Sequence, residues 1–331
     1  MDAAQGRFLI MKRVHVATHG HCFDGLCSAV VFTRLHEHLR GEGWAYDIDP
    51  RGYGPGANGV PEAQLSGDEN AILDYRYTAS TKLDYYFDHH VSAFATPEDR
   101  ADFAARAQAG AAVFHDGTYG SATQFIVDTA ERMYGLVMPE LADLVHWSDI
   151  IDRAAFADPR EAVARETPAL KLMTIVEHEG NAELYAELVP LLRTQSIARV
   201  LRRPSIDARL APLLAMHATG VAGLRAVARD MGGVVFADLS DSALESAPKF
   251  VTYADFPKST YSVVLTRSPK KVKISVGYNP WSGVLRRHNI AAYCEQYGGG
   301  GHPVVGAISL PVEEIDRARE ICRTLIGSLL E

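Results

Sequence analysis

Cysteine is scarce in this 331-residue sequence, which holds four: Cys22, Cys27, Cys294 and Cys322. None forms a C-x-x-C pair and together they make no dense framework, which argues against a disulfide-stapled scaffold and suits a reduced compartment. Basic charge is also in deficit. Lys and Arg number 33 against 41 Asp and Glu, for a formal charge of −8 at pH 7 and a pI near 5.9. That balance argues against a whole-molecule hold on long duplex nucleic acid. Short basic stretches ("VLRRPS", "SPKKVK", "VLRRHN") leave room for a local grip on a small anion. The opening residues "MDAAQGRFLIMKR" lack the apolar core and small-residue cleavage site of a secretory leader. No run is read as approaching the roughly 20 apolar residues of a membrane span. The expectation is a cytoplasmic protein with no membrane partner. No internal repeat or low-complexity tract is visible.

What is present is a chain that is 47% hydrophobic, able to bury a sizeable core and long enough for two domains. The first half alternates strand and helix signals. "RVHVAT", "WAYDID", "NAILDY" and "LDYYFDHH" read as strands, and an apolar helix follows Asp24. A parallel sheet with helices on both faces is the economical α/β reading. "GSATQFIVDTAERMYG" reads as a helix capped at Ser121 and stopped at Gly135, and another helix starts at Pro139. A long helical stretch from about 181 to 231 is punctuated by Pro190, Pro204 and Pro212. Beyond it, "GGVVFADL", "TYSVVLT", "KVKISVGY" and "PVVGAISL" read as strands and "NIAAYCEQY" as a helix. The division expected is a domain over 1–180, a helical linker over 181–204 and a smaller mixed α/β domain over 205–331.

Chemistry-bearing residues fall where ligands bind in parallel sheets, at the carboxyl ends of strands. The first strand ends in "THGHCFDG", bringing His19, His21, Cys22 and Asp24. Asp74 closes "AILDY", and Asp88-His89-His90 closes "YYFDHH". Asp149 and Asp152 lie on a later helix, and "YGGGGHPVVGAISL" follows far downstream. Carboxylates and imidazoles gathered in one cleft suit manganese or a similar borderline ion rather than a thiolate-rich zinc cage.

In order and content these motifs resemble those of the DHH phosphoesterase superfamily, which includes RecJ-like nucleases, nano-RNases and family II pyrophosphatases. The "GGGGH" run is similar to the hallmark of the DHH-associated C-terminal domain. The resemblance spans residues 19 to 302. It implies hydrolysis of small nucleotides by water activated between two divalent ions, manganese foremost, with magnesium or cobalt as alternatives. Substrates would be short oligoribonucleotides, linear or cyclic dinucleotides, or 3′-phosphoadenosine phosphate; a homodimer is left open. Asp74 would bridge the ions, Asp24, His89 and Asp149 would bind one, and His19 the other. His90 would face the phosphate with Asp88 orienting its neighbours. Gly299, Gly300, Gly301 and His302 would hold the far end of the substrate, with Asn279, Arg286 or Arg287 standing in for an arginine that the family carries on the preceding strand.

The first motif departs from the family pattern. Alignment on Asp24-Gly25 sets Cys22 where an aspartate is expected. Three readings stand: His21 replaces the missing carboxylate, Cys22 ligates as a thiolate, or the first metal site is weakened and Cys22 is a small filler. The last supports a rival function, a nucleotide-binding sensor with a degenerate metal site.

Overall fold

The structure is a computed structural model and describes residues 11–53, 59–242 and 247–331. It divides into two compact units, the first running to Ala155 and resuming over Thr167–Leu210, the second comprising Phe156–Glu166 and Ala211–Glu331.

The first unit opens β1 (Arg13–His19), α1 (Phe23–Arg40), β2 (Ala45–Arg51), β3 (Glu69–Leu73), β4 (Tyr85–Asp88), α2 (Pro97–Gln108), β5 (Ala112–His115), α3 (Ala122–Tyr134) and α4 (Ala142–Asp152). The sheet is wholly parallel in the order β2-β1-β3-β4-β5. The chain therefore goes out to β2 on one side of β1 and returns to β3 on the other. That reversal splays the loops after β1 and β3 and opens a crevice at their carboxyl ends.

Strand alternation builds a layer on each face. Ala17, Ile72, Tyr86 and Val113 join Tyr75 and Tyr77 in one cluster, against which Phe94 and Phe103 of the α2 region pack. On the opposite face Phe87 meets Phe32 of α1 and Phe125 of α3, with ring centroids 6.5 and 6.1 Å apart. Helix α1 is buried almost all round from Phe23 to His36, which explains its unbroken apolar run. Ser121 caps α3 by accepting from the Gln124 N–H, and Gly135 ends it in the left-handed conformation. Helix α2 lacks an apolar stripe and buries no residue fully, so periodicity does not reveal it.

The chain continues through α5 (Pro159–Ala164), α6 (Pro168–Glu179), α7 (Ala182–Leu192), α8 (Ile197–Leu201) and α9 (Pro204–Val227). Two expectations are corrected here. Pro190 and Pro212 lie inside α7 and α9, and Pro204 starts α9 at a position where a missing N–H costs nothing. As a result α9 is continuous over 24 residues, with mean hydropathy 1.3 in its most apolar window and 17% of that window buried. By length and composition alone it could cross a membrane, contrary to the sequence reading.

The second unit adds β6 (Arg229–Asp230), β7 (Val234–Leu239), α10 (Val251–Asp255), β8 (Tyr261–Arg267), β9 (Val272–Tyr278), α11 (Ile290–Glu295), β10 (Gly300–His302), β11 (Val305–Leu310) and α12 (Ile315–Leu330). Its sheet is mixed, in the order β10-β11-β9-β8-β7-β6, with only β7 and β8 parallel. Ala318, Ile321, Cys322, Leu325 and Leu329 of α12 recur at helical spacing and pack with Val263, Leu265, Ile274 and Ile308.

Candidate active site

The site assembles at the crevice of the first unit, and each loop is fixed before any ligand arrives. After β1 the chain turns through His21, whose φ of 55° lies in the left-handed region. The His21 N–H donates to the Gly180 carbonyl (3.3 Å), and its Nδ1 lies 3.2 Å from the Glu177 carbonyl oxygen. Buried Tyr185 of α7 shares its hydroxyl between the carbonyls of Cys22 (2.8 Å) and His19 (3.2 Å). A Cβ on Gly25 would lie 2.0 Å from the His19 carbonyl oxygen, so glycine is what lets α1 start against this loop.

Asp24 is buried and satisfied. Its Oδ2 accepts from the Ala122 N–H (2.7 Å), and its Oδ1 from the Thr123 N–H (3.1 Å) and the Ser148 hydroxyl (2.7 Å). The carboxylate thus meets the positive end of α3. Asp74 is the opposite case. It is 1% exposed, its φ is 53°, and neither carboxylate oxygen has a hydrogen-bond partner. Nδ1 of His19 stands 3.6 Å from Oδ2, while Nε2 of His89 and Nδ1 of His90 each stand 3.5 Å from Oδ1.

Asp88 is an orienting group. Its Oδ1 accepts from the backbone N–H of His89 (2.9 Å) and His90 (3.3 Å) and pairs with His90 Nδ1 (2.7 Å), while the Tyr86 hydroxyl donates to Oδ2 (3.1 Å). His89 Nδ1 lies 3.1 Å from the Tyr119 carbonyl, which can only accept. The proton is therefore on Nδ1 and Nε2 is turned inward, 3.4 Å from Asp152, 3.5 Å from Asp74 and 3.9 Å from Asp24.

Asp152, not Asp149, completes this group. Ser148 and Asp152 are four apart on α4 and share the face that carries the Ser148 hydroxyl to Asp24. Asp149 points aside, pairs with Arg153 at 3.0 Å and lines an open groove of about 600 Å³ with Tyr119, Asp116 and Asp128. His21 is likewise turned away toward α6, whereas Cys22 faces the cluster.

Three overlapping sets result, each with donor atoms within 4.8 Å of one another: His19, Cys22 and Asp74; Asp74, His89 and His90; Asp24, His89 and Asp152. The electrostatics follow from that crowding. Burial raises the Asp24 carboxyl and Asp74 adds to it; Asp152 is pushed well up by desolvation, Asp24 and Asp74. Asp74 goes the other way, because His19, His89 and His90 outweigh its burial. Burial disfavours the imidazolium of His89 and of His90, but the surrounding carboxylates prevail and raise them to about 10 and about 9. Desolvation, with Asp74, Asp152 and Asp24 behind it, pushes the Cys22 thiol well up.

These residues fit a divalent cation. Buried oxygen and nitrogen atoms with no partner are costly, and here Oδ1 and Oδ2 of Asp74, Nδ1 of His19 and Nε2 of His89 are all orphaned and convergent. Cations held in the overlapping sets would answer all four.

The remaining sequence candidates lie in the second unit. Asn279 is fully buried, donates from Nδ2 to the Ser259 carbonyl (2.8 Å) and accepts from the Trp281 N–H (3.1 Å). It holds a turn and is not free for substrate. Arg286 is exposed and donates to the His288 carbonyl (2.6 Å), and the Arg287 backbone N–H donates to the Tyr261 hydroxyl (3.0 Å). The glycine run is not a free loop: Gly300–His302 pair antiparallel with Val305–Ala307. A Cβ on Gly299 or Gly301 would come within 2.2 Å of the Ala307 or Val305 carbonyl oxygen. Gly300 has open space around it and His302 is exposed.

No protein-family model and no curated protein sequence matches the chain. Solved structures do. A pGpG-specific phosphodiesterase from Vibrio cholerae, PggH, gives a TM-score of 0.69 at 19% identity over 96% of this chain and 99% of that one. An exopolyphosphatase-related protein from Bacteroides fragilis gives 0.53 at 13% identity over 97% and 94%. RecJ from Thermus thermophilus in complex with Mn2+ gives 0.53 at 16% identity over 96% of this chain and 52% of that one. A parallel sheet with Asp and His at its strand ends, joined to a second unit with a mixed sheet, defines a two-unit α/β class. Within that class the fold is the one shared with the pGpG-specific phosphodiesterase and, over about half of its chain, with the Thermus thermophilus RecJ.

Proposed function

We propose that the chain is a divalent-metal-dependent phosphodiesterase that hydrolyses short linear nucleotides, linear dinucleotides above all. The observation that carries this reading is Asp74, a buried carboxylate with both oxygens unpartnered among His19, His89 and His90. Three features support a small substrate: the chain is coextensive with a pGpG-specific phosphodiesterase in fold, it spans about half of the Thermus thermophilus RecJ chain, and its charge is −8.

Asp74, His19, His89, Asp24 and Asp152 would hold the cations, with Cys22 beside His19. Bound divalent ions supply charge neutralisation and Lewis acidity to a phosphoryl group. The chain's own residues do the rest. Tyr119 and Ser148 fix the orientations of His89 and Asp24. Asp88 holds His90 by Nδ1, so its Nε2 is the atom presented to substrate. From Nε2 His90 would pass a proton to the departing ester oxygen as a general acid.

The test is product analysis with Mn2+ on RNA dinucleotides including pGpG, longer RNA, cyclic dinucleotides, 3′-phosphoadenosine phosphate and pyrophosphate. Mononucleotides released from the shortest linear substrates are the expected result. Tight binding of one member with no hydrolysis of any would overturn the enzyme reading in favour of a sensor.

A further inference from the structure

We propose that Cys22 is a thiolate ligand to the cation beside His19, making this half of the centre a mixed nitrogen, sulfur and oxygen site that selects a thiophilic divalent ion such as zinc, cobalt or iron(II) over magnesium or manganese. The inference rests on the reading that the cluster holds a cation, and specifies one of its ligands.

Geometry supplies the argument. Donor atoms of Cys22, His19 and Asp74 lie within 4.8 Å of one another, and the set includes the orphaned Nδ1 of His19 and the orphaned carboxylate of Asp74, a residue 99% buried. The backbone is built to put the sulfur there. The left-handed turn at His21 sends the imidazole of that residue to α6, and Tyr185 clamps the carbonyls of His19 and Cys22 together.

Two other accounts of Cys22 fail. It occupies the N-cap position of α1 with the Gly25 N–H toward its sulfur, but sulfur is a weak acceptor where Ser, Asp or Asn would cap the helix better. A filler should be fully enclosed, as Cys27 of α1 is at 0% exposure. Cys22 is only half-buried, and its charged neighbours are Asp74, Asp152 and Asp24. A soft sulfur among hard oxygens and an imidazole shifts metal preference toward borderline ions.

Cobalt(II) titration of the metal-free full chain, followed by absorption spectroscopy, tests this without reference to hydrolysis. The expected result is a near-ultraviolet sulfur-to-cobalt charge-transfer band together with visible ligand-field bands. Cys22→Ser and Cys22→Asp should keep the visible bands and lose the charge-transfer band. In Cys22→Asp the zinc-over-manganese affinity ratio should fall by on the order of tenfold or more. Visible bands without a charge-transfer band in the wild-type protein would overturn the Cys22 assignment and leave the metal centre standing. A charge-transfer band that persists in both variants would do the same by assigning the sulfur elsewhere. No cobalt bands at all would remove the metal centre itself, and this inference with it.

Discussion

Replacing Asp74 by Asn isolates the charge on which the cation reading depends. The two side chains are nearly isosteric, so packing at this 1% exposed position is kept while the carboxylate that faces His19, His89 and His90 is lost. A ligand that binds only the folded state stabilises it by about 2.7 kcal/mol at a hundredfold excess over its dissociation constant. The first unit has roughly 200 residues, for which each kcal/mol moves the midpoint by about 2–4 °C. One bound ion should therefore raise the melting temperature of the wild-type protein by ~5–10 °C, and a second ion should extend the shift. Differential scanning fluorimetry across a manganese, cobalt and zinc titration measures it. In Asp74→Asn the shift should vanish for every metal while the metal-free midpoint stays within a few degrees. An undiminished shift in the variant would refute the reasoning, because the ion would then sit elsewhere.

Three further predictions follow from the supports of the site. Tyr185→Phe removes the donor shared by the His19 and Cys22 carbonyls and should cost about 1–2 kcal/mol in urea unfolding, with weakened metal binding by calorimetry. Ser148→Ala strips one of the donors that orient Asp24 and should lower metal affinity by roughly 10–100-fold, again by calorimetry, with little change in secondary structure. His36 is fully buried and its pKa is lowered, chiefly by desolvation with Glu69 opposing. Its unfolded value is about 6.5. A group held neutral in the fold takes up its proton more readily when unfolded, so stability should fall as pH drops below that value. Denaturation midpoints at a series of pH values should show this loss in the wild-type protein and a shallower one in His36→Gln.

Much of the fold is legible in the sequence because strand ends and helix caps are local signals. "RVHVAT", "NAILDY" and "YYFDHH" become β1, β3 and β4, and the Ser121 and Gly135 caps delimit α3. Hidden elements are those without a local signature. Helix α2 has no buried stripe, and β5 is a four-residue strand beside it. Proline was a misleading punctuation mark, since Pro190 and Pro212 are carried inside α7 and α9.

The site divides in the same way. Asp74, His89 and His90 stand in the sequence at strand ends, where a parallel sheet collects ligands. Asp152 rather than Asp149 stands beside His89 because of the rotation of α4, which the contacts of Ser148 with Asp24 and Thr123 show and the sequence does not. His21 and Cys22 are adjacent and equally plausible as letters; the left-handed turn at His21 separates them. Asn279 looks like a substrate ligand in the sequence, but its side chain is spent on the backbone of a turn.

The most direct test of the central claim is anomalous X-ray diffraction from crystals of the full chain grown with Mn2+. The account predicts at least one anomalous peak within bonding distance of the Asp74 carboxylate, shared with His89 Nε2 or His19 Nδ1. Occupied manganese elsewhere, with the Asp74 oxygens bound only to water or to side chains, would contradict it.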